Sequence, residues 1–330
     1  MTAVDPATSR AREPRLSIVV VVHRMARQAE NTLYTLSPSH QRNVRASDYE
    51  VVVVENASAD ELGAERATGT GPNVRYFRRE ETGTSPAPAL NFGVREARGA
   101  QIGLCIDGAR MVTPRVVEYA LLAARMDENA LVVVPGYHLG DEEQSRAAGY
   151  GEEQEKALLE RCRYREDGYG LFDVAVLSSA NRHGFFHPFM ESNCLFCPKT
   201  AYLEIGGADE RFDLPGGGSV NLYLYRRLAL RPESRLVVLP GEGSFHQFHG
   251  GITTTPAPDL DQVLAEHRAQ LASILGAPFE APKREPMLLG AVTSHAQRML
   301  RHSVDRADAR FSRFRAQGDR AWSDDPDPTE

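Results

Sequence analysis

The hydrophobic pattern divides the chain before any single residue is considered. Up to about residue 135, short β-branched runs alternate with longer stretches of helical spacing, the order expected of a parallel sheet joined by right-handed crossovers. The pattern predicts strands over 17–22, 49–54, 74–77, 101–106 and 131–134, and helices over 26–36, 86–97 and 114–126. Two of these helices open with a proline, whose fixed φ suits a first turn. The four-valine runs at Val19 and Val51 are too uniformly apolar for strands with one wet face. Both are expected in the middle of the sheet, buried on two sides.

Beyond Gly136 the pattern loosens. A charged helix is predicted over 152–163, a strand over 171–178, a strand running into a helix start in HPFMESNCLFCPK, a helix over 219–230 and a short strand over 235–239. GEGSFHQFHGGITTT has no apolar period and reads as a loop, and helices are predicted over 258–275 and 288–314. No internal repeat is found. The organisation expected is a disordered start over 1–15, a first half-domain over 16–135, a second over 136–256, helices over 257–317 and a disordered acidic tail over 318–330.

Composition narrows the classes. The 330 residues suffice for one large α/β domain without disulfide staples, and a net charge of -7 argues against dependence on nucleic-acid phosphates. The four cysteines contain one C-x-x-C pair with no second pair to complete a zinc site, so they read as reduced core residues. Residues 1–15 lack the apolar run of a signal peptide, and no stretch approaches the length of a bilayer span; a cytoplasmic location is the expectation.

In an open parallel sheet a ligand binds beyond the carboxyl ends of the strands. Those ends carry His23 and Arg24, then Glu55 and Asn56, then Asp107. The first strand is followed by HRMARQAEN rather than G-x-G-x-x-G, and no Walker loop occurs, so a glycine-rich helix start does not hold the phosphates of a nucleotide here.

LSIVVVVHR, YEVVVVENASAD, ALNFGVREARGAQIGLCIDGA and EIGGADERF occur in this order, and together they resemble the family 2 glycosyltransferases. The resemblance runs from about Leu16 to Arg227, and ESNCLFCPK, PGGGSVNL and GEGSFHQFHGG extend it towards a narrower bacterial branch. It implies a GT-A fold, Rossmann-like, with a mostly parallel central sheet flanked by helices and a C-terminal helical extension. It also implies transfer of a sugar from a nucleotide-sugar donor, most readily a UDP-sugar, to a hydroxyl acceptor. By position, Glu55 matches the residue that reads base or ribose, Asn91 the N-x-G asparagine near the base, and Asp107 the first acid of D-x-D; His23 shares that edge.

Two departures leave alternatives open. The second acid of D-x-D is Ala109, followed by Arg110. Either Asp107 with His249 or His246 holds Mn²⁺ or Mg²⁺, or Arg110 neutralises the diphosphate without a metal. The E-D pair that carries the base in inverting relatives aligns with Gly218 and Ser219, and no carboxylate lies between Asp213 and Glu233. Glu191 is the first candidate base and Asp213 the second. Ser192, Asn193, the run Gly216, Gly217, Gly218 and Asn221 form the expected acceptor and phosphate loop, since residues without Cβ let backbone amides approach a ligand. A catalytically silent domain serving as a partner subunit and a nucleotidyltransferase are the competing readings. The arginine-rich helix over 288–314 suits packing on the domain, a homodimer, or a peripheral contact with anionic lipid.

Overall fold

The computed structural model describes residues 13–81, 83, 85–142, 144, 147, 149–251 and 260–318. The strands are β1 (Leu16–Val22), β2 (Tyr49–Asn56), β3 (Val74–Arg79), β4 (Gln101–Cys105), β5 (Arg110–Val112), β6 (Ala130–Val133), β7 (Gly136–Leu139), β8 (Ala175–Leu177), β9 (Cys194–Pro198), β10 (Arg235–Val238), β11 (Ser244–His246) and β12 (Met287–Leu288). The helices are α1 (Ala26–Leu36), α2 (Ala64–Gly69), α3 (Ala87–Glu96), α4 (Val116–Met126), α5 (Glu152–Cys162), α6 (Lys199–Glu204), α7 (Val220–Ala229), α8 (Leu260–Leu275) and α9 (Gln297–Gln317).

Eight strands form the main sheet in the order β12-β10-β6-β9-β4-β1-β2-β3, parallel throughout except for β9, which runs antiparallel to both its neighbours. The expected central position of the valine runs is met, and the reason is visible in their alternation. Val19, Val21, Val52 and Val54 join one apolar cluster, while Ile18, Val20, Val22, Val51 and Val53 join the other. Each buried valine contributes roughly 1.5–3 kcal/mol, so the two runs hold both helix layers onto the sheet. Cys194 and Cys197 fall in opposite clusters, which removes the C-x-x-C pair from any shared metal site.

Three segments differ from expectation. Residues 171–178 are not one strand: a 3-10 helix, Gly168–Val174, precedes the short β8. The predicted helix over 288–314 is broken, with β12 and a 3-10 turn at Ser294–Ala296 ahead of α9, because Gly290 takes φ +106° where its backbone meets the Tyr119 ring. The histidine-rich segment holds a strand, β11, in a second sheet of order β5-β11-β7-β8. Strands of three and four residues leave too short a period to be seen. The two terminal stretches expected to be disordered lie outside the described residues apart from 13–15 and Gly318, and the start of the helix predicted over 258–275 lies outside them too. Among the described residues no helix is long and apolar enough to cross a membrane.

Gly93 lets α3 sit close on the sheet. A Cβ on Gly93 of α3 would lie 2.4 Å from Val19 Cγ1 and 3.1 Å from Val54 Cγ2. Gly93→Val should therefore lower the unfolding free energy by about 1–3 kcal/mol through overpacking. Gly69→Ala, where a Cβ meets nothing within 4 Å, should be neutral or stabilise by about 0.5–1 kcal/mol. Urea titration of the two variants checks this; equal stability in both would contradict the packing argument.

Candidate functional site

The site is assembled by strand register. β4 ends at Cys105, and one residue later Ile106 N donates to Asn193 O at 3.2 Å, extending the antiparallel β4/β9 ladder. Glu191 and Asn193 are thereby brought to the strand end that carries Asp107. The chain then turns through Gly108, where a Cβ would lie 2.9 Å from Val21 O, and Thr32 Oγ1 donates to Gly108 O at 2.7 Å. β5 begins at Arg110, which lies opposite His246 in β11, which in turn lies opposite His138 in β7. His246 reaches Asp107 because of these two pairings.

The next residues are fastened from behind. Gln247 is fully buried, with Nε2 donating to Gln28 O at 3.0 Å, Oε1 accepting from Asn31 Nδ2 at 2.9 Å, and its backbone N donating to Ala109 O at 2.9 Å. Phe248 O accepts from Arg27 Nη2 at 3.1 Å and from Gln28 Nε2, while its N donates to Glu155. With these anchored, His246 and His249 turn to the other side, their Nε2 atoms 3.1 Å apart. His246 Nε2 lies 3.9 Å from Asp107 Oδ2. One ligand atom from each of Asp107, His246 and His249 lies within 4.8 Å of the others.

Burial drives the His246 pKa well below the ordinary imidazole value, and Arg110, His249 and His138 push the same way. Burial also lowers His249, partly opposed by Asp107. Both rings are therefore neutral near pH 7 and each keeps a nitrogen lone pair, as metal ligation needs. The donor set, one carboxylate and two imidazoles, fits Mn²⁺ and related ions. Asp107 is at the same time held by Arg110 Nε at 3.0 Å on Oδ2 and by Ala109 N at 3.0 Å on Oδ1. The missing second acid also has a physical reason: Ala109 is fully buried in the apolar cluster beneath β1, where a carboxylate would be desolvated.

Other expected residues are placed differently. Glu55 is fully buried at the end of β2, its oxygens accepting from Leu62 N (2.7 Å), Gly63 N (3.0 Å) and Tyr76 Oη (2.7 Å). It shapes the turn after β2 rather than offering an open carboxylate. Asn91 donates to Ala208 O and Glu210 Oε1, each at 2.9 Å, and accepts from Tyr202 Oη at 2.7 Å, so it clamps α3 to the turn 205–212. Ser192 is buried, its hydroxyl bonded to Cys194 O at 2.7 Å. Asp213 is exposed and accepts from Gln270 Nε2 of α8 at 2.8 Å. Gly216, Gly217 and Gly218 all have positive φ, and a Cβ on Gly217 would lie 2.2 Å from Pro86 Cδ. The run is thus a tight turn seated on the start of α3, ahead of half-buried Asn221. His23 is half-buried, and its Nδ1 has no hydrogen-bond partner among the described residues.

Glu155 is a support the sequence does not signal, since a charged helix gives no hint that one of its carboxylates is buried. Burial raises its pKa to about 7, against the pull of the Phe248 amide and Arg27.

The family model for glycosyl transferase family 2 matches residues 17–187, just over half of the chain. The chain belongs to glycosyl transferase family 2. Its fold is similar to that of S. aureus TarS, with a TM-score of 0.51 at 12% identity over 92% of this chain and 46% of that one. It therefore spans a little under half of that TarS chain. S. aureus TarS 1-349 in complex with UDP-GlcNAc gives a TM-score of 0.50 at 13% identity, over 92% of this chain and 76% of that one. No curated protein sequence matches. Family and fold together make the protein a GT-A glycosyltransferase.

The base of the histidine segment carries a second buried carboxylate. Glu242 accepts from Tyr169 Oη at 2.8 Å and Arg115 N at 3.2 Å, and burial raises its pKa to about 7 from 4.5. A folded-state pKa above the unfolded one gives stability that is complete below about pH 4.5 and lost as pH rises through 7. The difference in unfolding free energy between Glu242→Gln and wild type should move in favour of the variant by roughly 2 kcal/mol between pH 5 and 8. Guanidinium titrations at the two pH values measure it; a pH-independent difference would refute the assignment.

Proposed function

We propose that the protein transfers a hexose or N-acetylhexosamine from a UDP-sugar to a hydroxyl acceptor, with a divalent cation held by Asp107, His246 and His249. The observation that carries this reading is the convergence of those three side chains at the carboxyl edge of the sheet, with two neutral imidazoles beside one carboxylate. Family membership and a fold shared with a chain whose crystals contain UDP-GlcNAc support the choice of donor. A cation bound there supplies positive charge to the two phosphates as the sugar–phosphate bond breaks. Arg110, already on Asp107, adds a fixed guanidinium to the same region. Gln247, Phe248 and Glu155 hold the histidines in place.

On the acceptor side, the base in this proposal is Glu191. Asn193 Nδ2 donates to Glu191 Oε2 at 3.0 Å, which orients the carboxylate at the edge next to Asp107. The acceptor hydroxyl gives its proton to Glu191 as its oxygen bonds to the sugar C1, and the C1–O bond to the diphosphate breaks. Asp213, exposed and bonded to α8, is the weaker candidate.

UDP at about a hundred times its dissociation constant should stabilise the protein by roughly 2.7 kcal/mol, with a larger shift in Mn²⁺. Asp107→Ala and His249→Ala should remove the Mn²⁺-dependent part. A thermal scan showing no shift with any nucleoside diphosphate would overturn the donor assignment. UDP release from UDP-sugars then separates an enzyme from a silent binding domain. In that assay Glu191→Gln should lower kcat by about 10²–10⁴ while UDP affinity stays unchanged; full activity in this variant would exclude Glu191 as the base.

A further inference from the structure

The carboxyl edge of the main sheet holds a row of polar side chains beyond the apolar ones. On the face covered by α3, Val21, Val54 and Phe77 lie side by side on β1, β2 and β3 and pack in one apolar cluster. Two residues further along each strand, the same alternation brings His23, Asn56 and Arg79 to that face. Asn56 pairs directly with Arg79 in the β2/β3 register, and His23 follows Val22, whose partner is Glu55. Ala57 N donates to Arg79 O at 2.9 Å, so the β2/β3 pairing holds to the end of both strands.

Each member of this row has a buried side-chain atom with no hydrogen-bond partner among the described residues: His23 Nδ1, Asn56 Oδ1 and Arg79 Nη1. Asn56 is only 2% exposed, and a buried acceptor without a donor keeps the cost of its desolvation. Asn56 Oδ1 and Arg79 Nη1 are an acceptor and a donor on paired residues, yet they do not bond each other. Arg79 is pinned by its other contacts: Nη2 donates to Glu81 Oε2 at 3.0 Å, and the guanidinium lies over the Phe92 ring, 5.2 Å from its centroid. A group that carries a donor next to an acceptor would satisfy both atoms at once. Glu55 does not compete for it, because it faces the other side of the sheet and is bonded to Leu62 N, Gly63 N and Tyr76 Oη.

We propose that Asn56 and Arg79 determine the base specificity of the donor site by selecting an imide, the N–H flanked by two carbonyls that uracil presents. The inference rests on the reading of this edge as a nucleotide-sugar site. The base N3–H donates to Asn56 Oδ1, and an adjoining carbonyl accepts from Arg79 Nη1. The other carbonyl falls on the His23 side, where the tautomer with hydrogen on Nδ1 donates to it. The row then reads donor, acceptor, donor, the complement of the imide edge. Cytosine has no hydrogen on N3 and carries an amino group beside it, so its N3 meets Asn56 Oδ1 as acceptor against acceptor. A site that hydrogen-bonds one group rejects the analogue lacking it, since its own buried atoms are left unpaired.

The test is calorimetric titration of the full chain with UDP and CDP in Mn²⁺, and with uridine, 3-methyluridine and cytidine. Wild type should bind UDP at least roughly tenfold more tightly than CDP, and uridine in preference to both cytidine and 3-methyluridine, whose N3 has no hydrogen to give. Asn56→Leu, which keeps the branched shape, should abolish the preference for UDP over CDP. Its melting temperature without ligand should equal or exceed that of wild type, because the unpaired amide oxygen is gone. Asn56→Asp, which keeps an acceptor in place, should retain the preference. If Asn56→Leu does not fold, Arg79→Met decides, and there the preference should fall at least roughly threefold. UDP binding without preference over CDP, or a preference that the Leu and Met variants leave unchanged, overturns the proposal and leaves the donor assignment standing. Uridine bound selectively, with no gain from the diphosphate or from Mn²⁺, supports base reading by Asn56 and counts against the donor assignment. No binding of any of the five ligands overturns both.

Discussion

The architecture of the site depends on one pairing, that of β11 with β5 and β7. The main sheet alone delivers Asp107 and the β9 segment to a common edge, since parallel strands end together and β9 runs back between β4 and β6. It does not deliver a histidine. The small sheet does so by placing Arg110, His246 and His138 side by side, which fixes where the next three residues must go. A slip of one residue in β11 would turn His246 into the core and Gln247 into the site, because successive strand residues face opposite sides. Gln247 works against that slip: buried, with each of its polar groups bonded to α1 or to Ala109, it has no other place of equal satisfaction.

This explains what was legible in the sequence and what was not. The valine runs announced their burial on two faces, because nothing polar interrupts them. Asp107 is singled out by its place at a strand end, and His246 and His249 by the resemblance to family 2 glycosyltransferases; the structure brings the three side chains together. For Glu55 and Asn91 the structure shows a second role that the sequence did not signal. Their residue types suit a ligand, yet the turn 57–63 and the turn 205–212 also need acceptors and donors, and side-chain bonds to a turn leave no periodic trace. Ser192 belongs with them: its hydroxyl serves the backbone around Cys194. Glu155 lay beyond reach for the opposite reason, a buried carboxylate hidden in a run of exposed ones.

Carboxylates and guanidinium groups are used unequally across the molecule. At the Asp107 edge Arg110 pairs with Asp107 and Arg27 with Glu155. Buried carboxylates such as Glu50 and Glu242 are met by several donors each. Such pairs gain little over apolar packing, but removing one partner strands the other. They therefore fix geometry more than they add stability, and they sit where the geometry matters: at the start of β2, under the histidine segment, and behind His246.

The last turns of α9 turn Arg310 inward and Phe311 and Phe314 outward. An arginine on the outside of a helix is solvated and costs nothing, whereas Phe311 and Phe314 on the outside gain nothing. Exchanging the two faces would bury aromatic rings and release guanidinium groups to water, which by burial alone is the more stable arrangement. Packing of α9 is secured by Met299, by Ser303 against Gly184, and by Arg298 bonded to the carbonyls of Phe172 and Ala175. The last turns continue that packing, since Arg310 is buried and donates through Nη2 to the Phe186 carbonyl, so the helix is held by polar contacts on its inner side while its aromatic rings face outward.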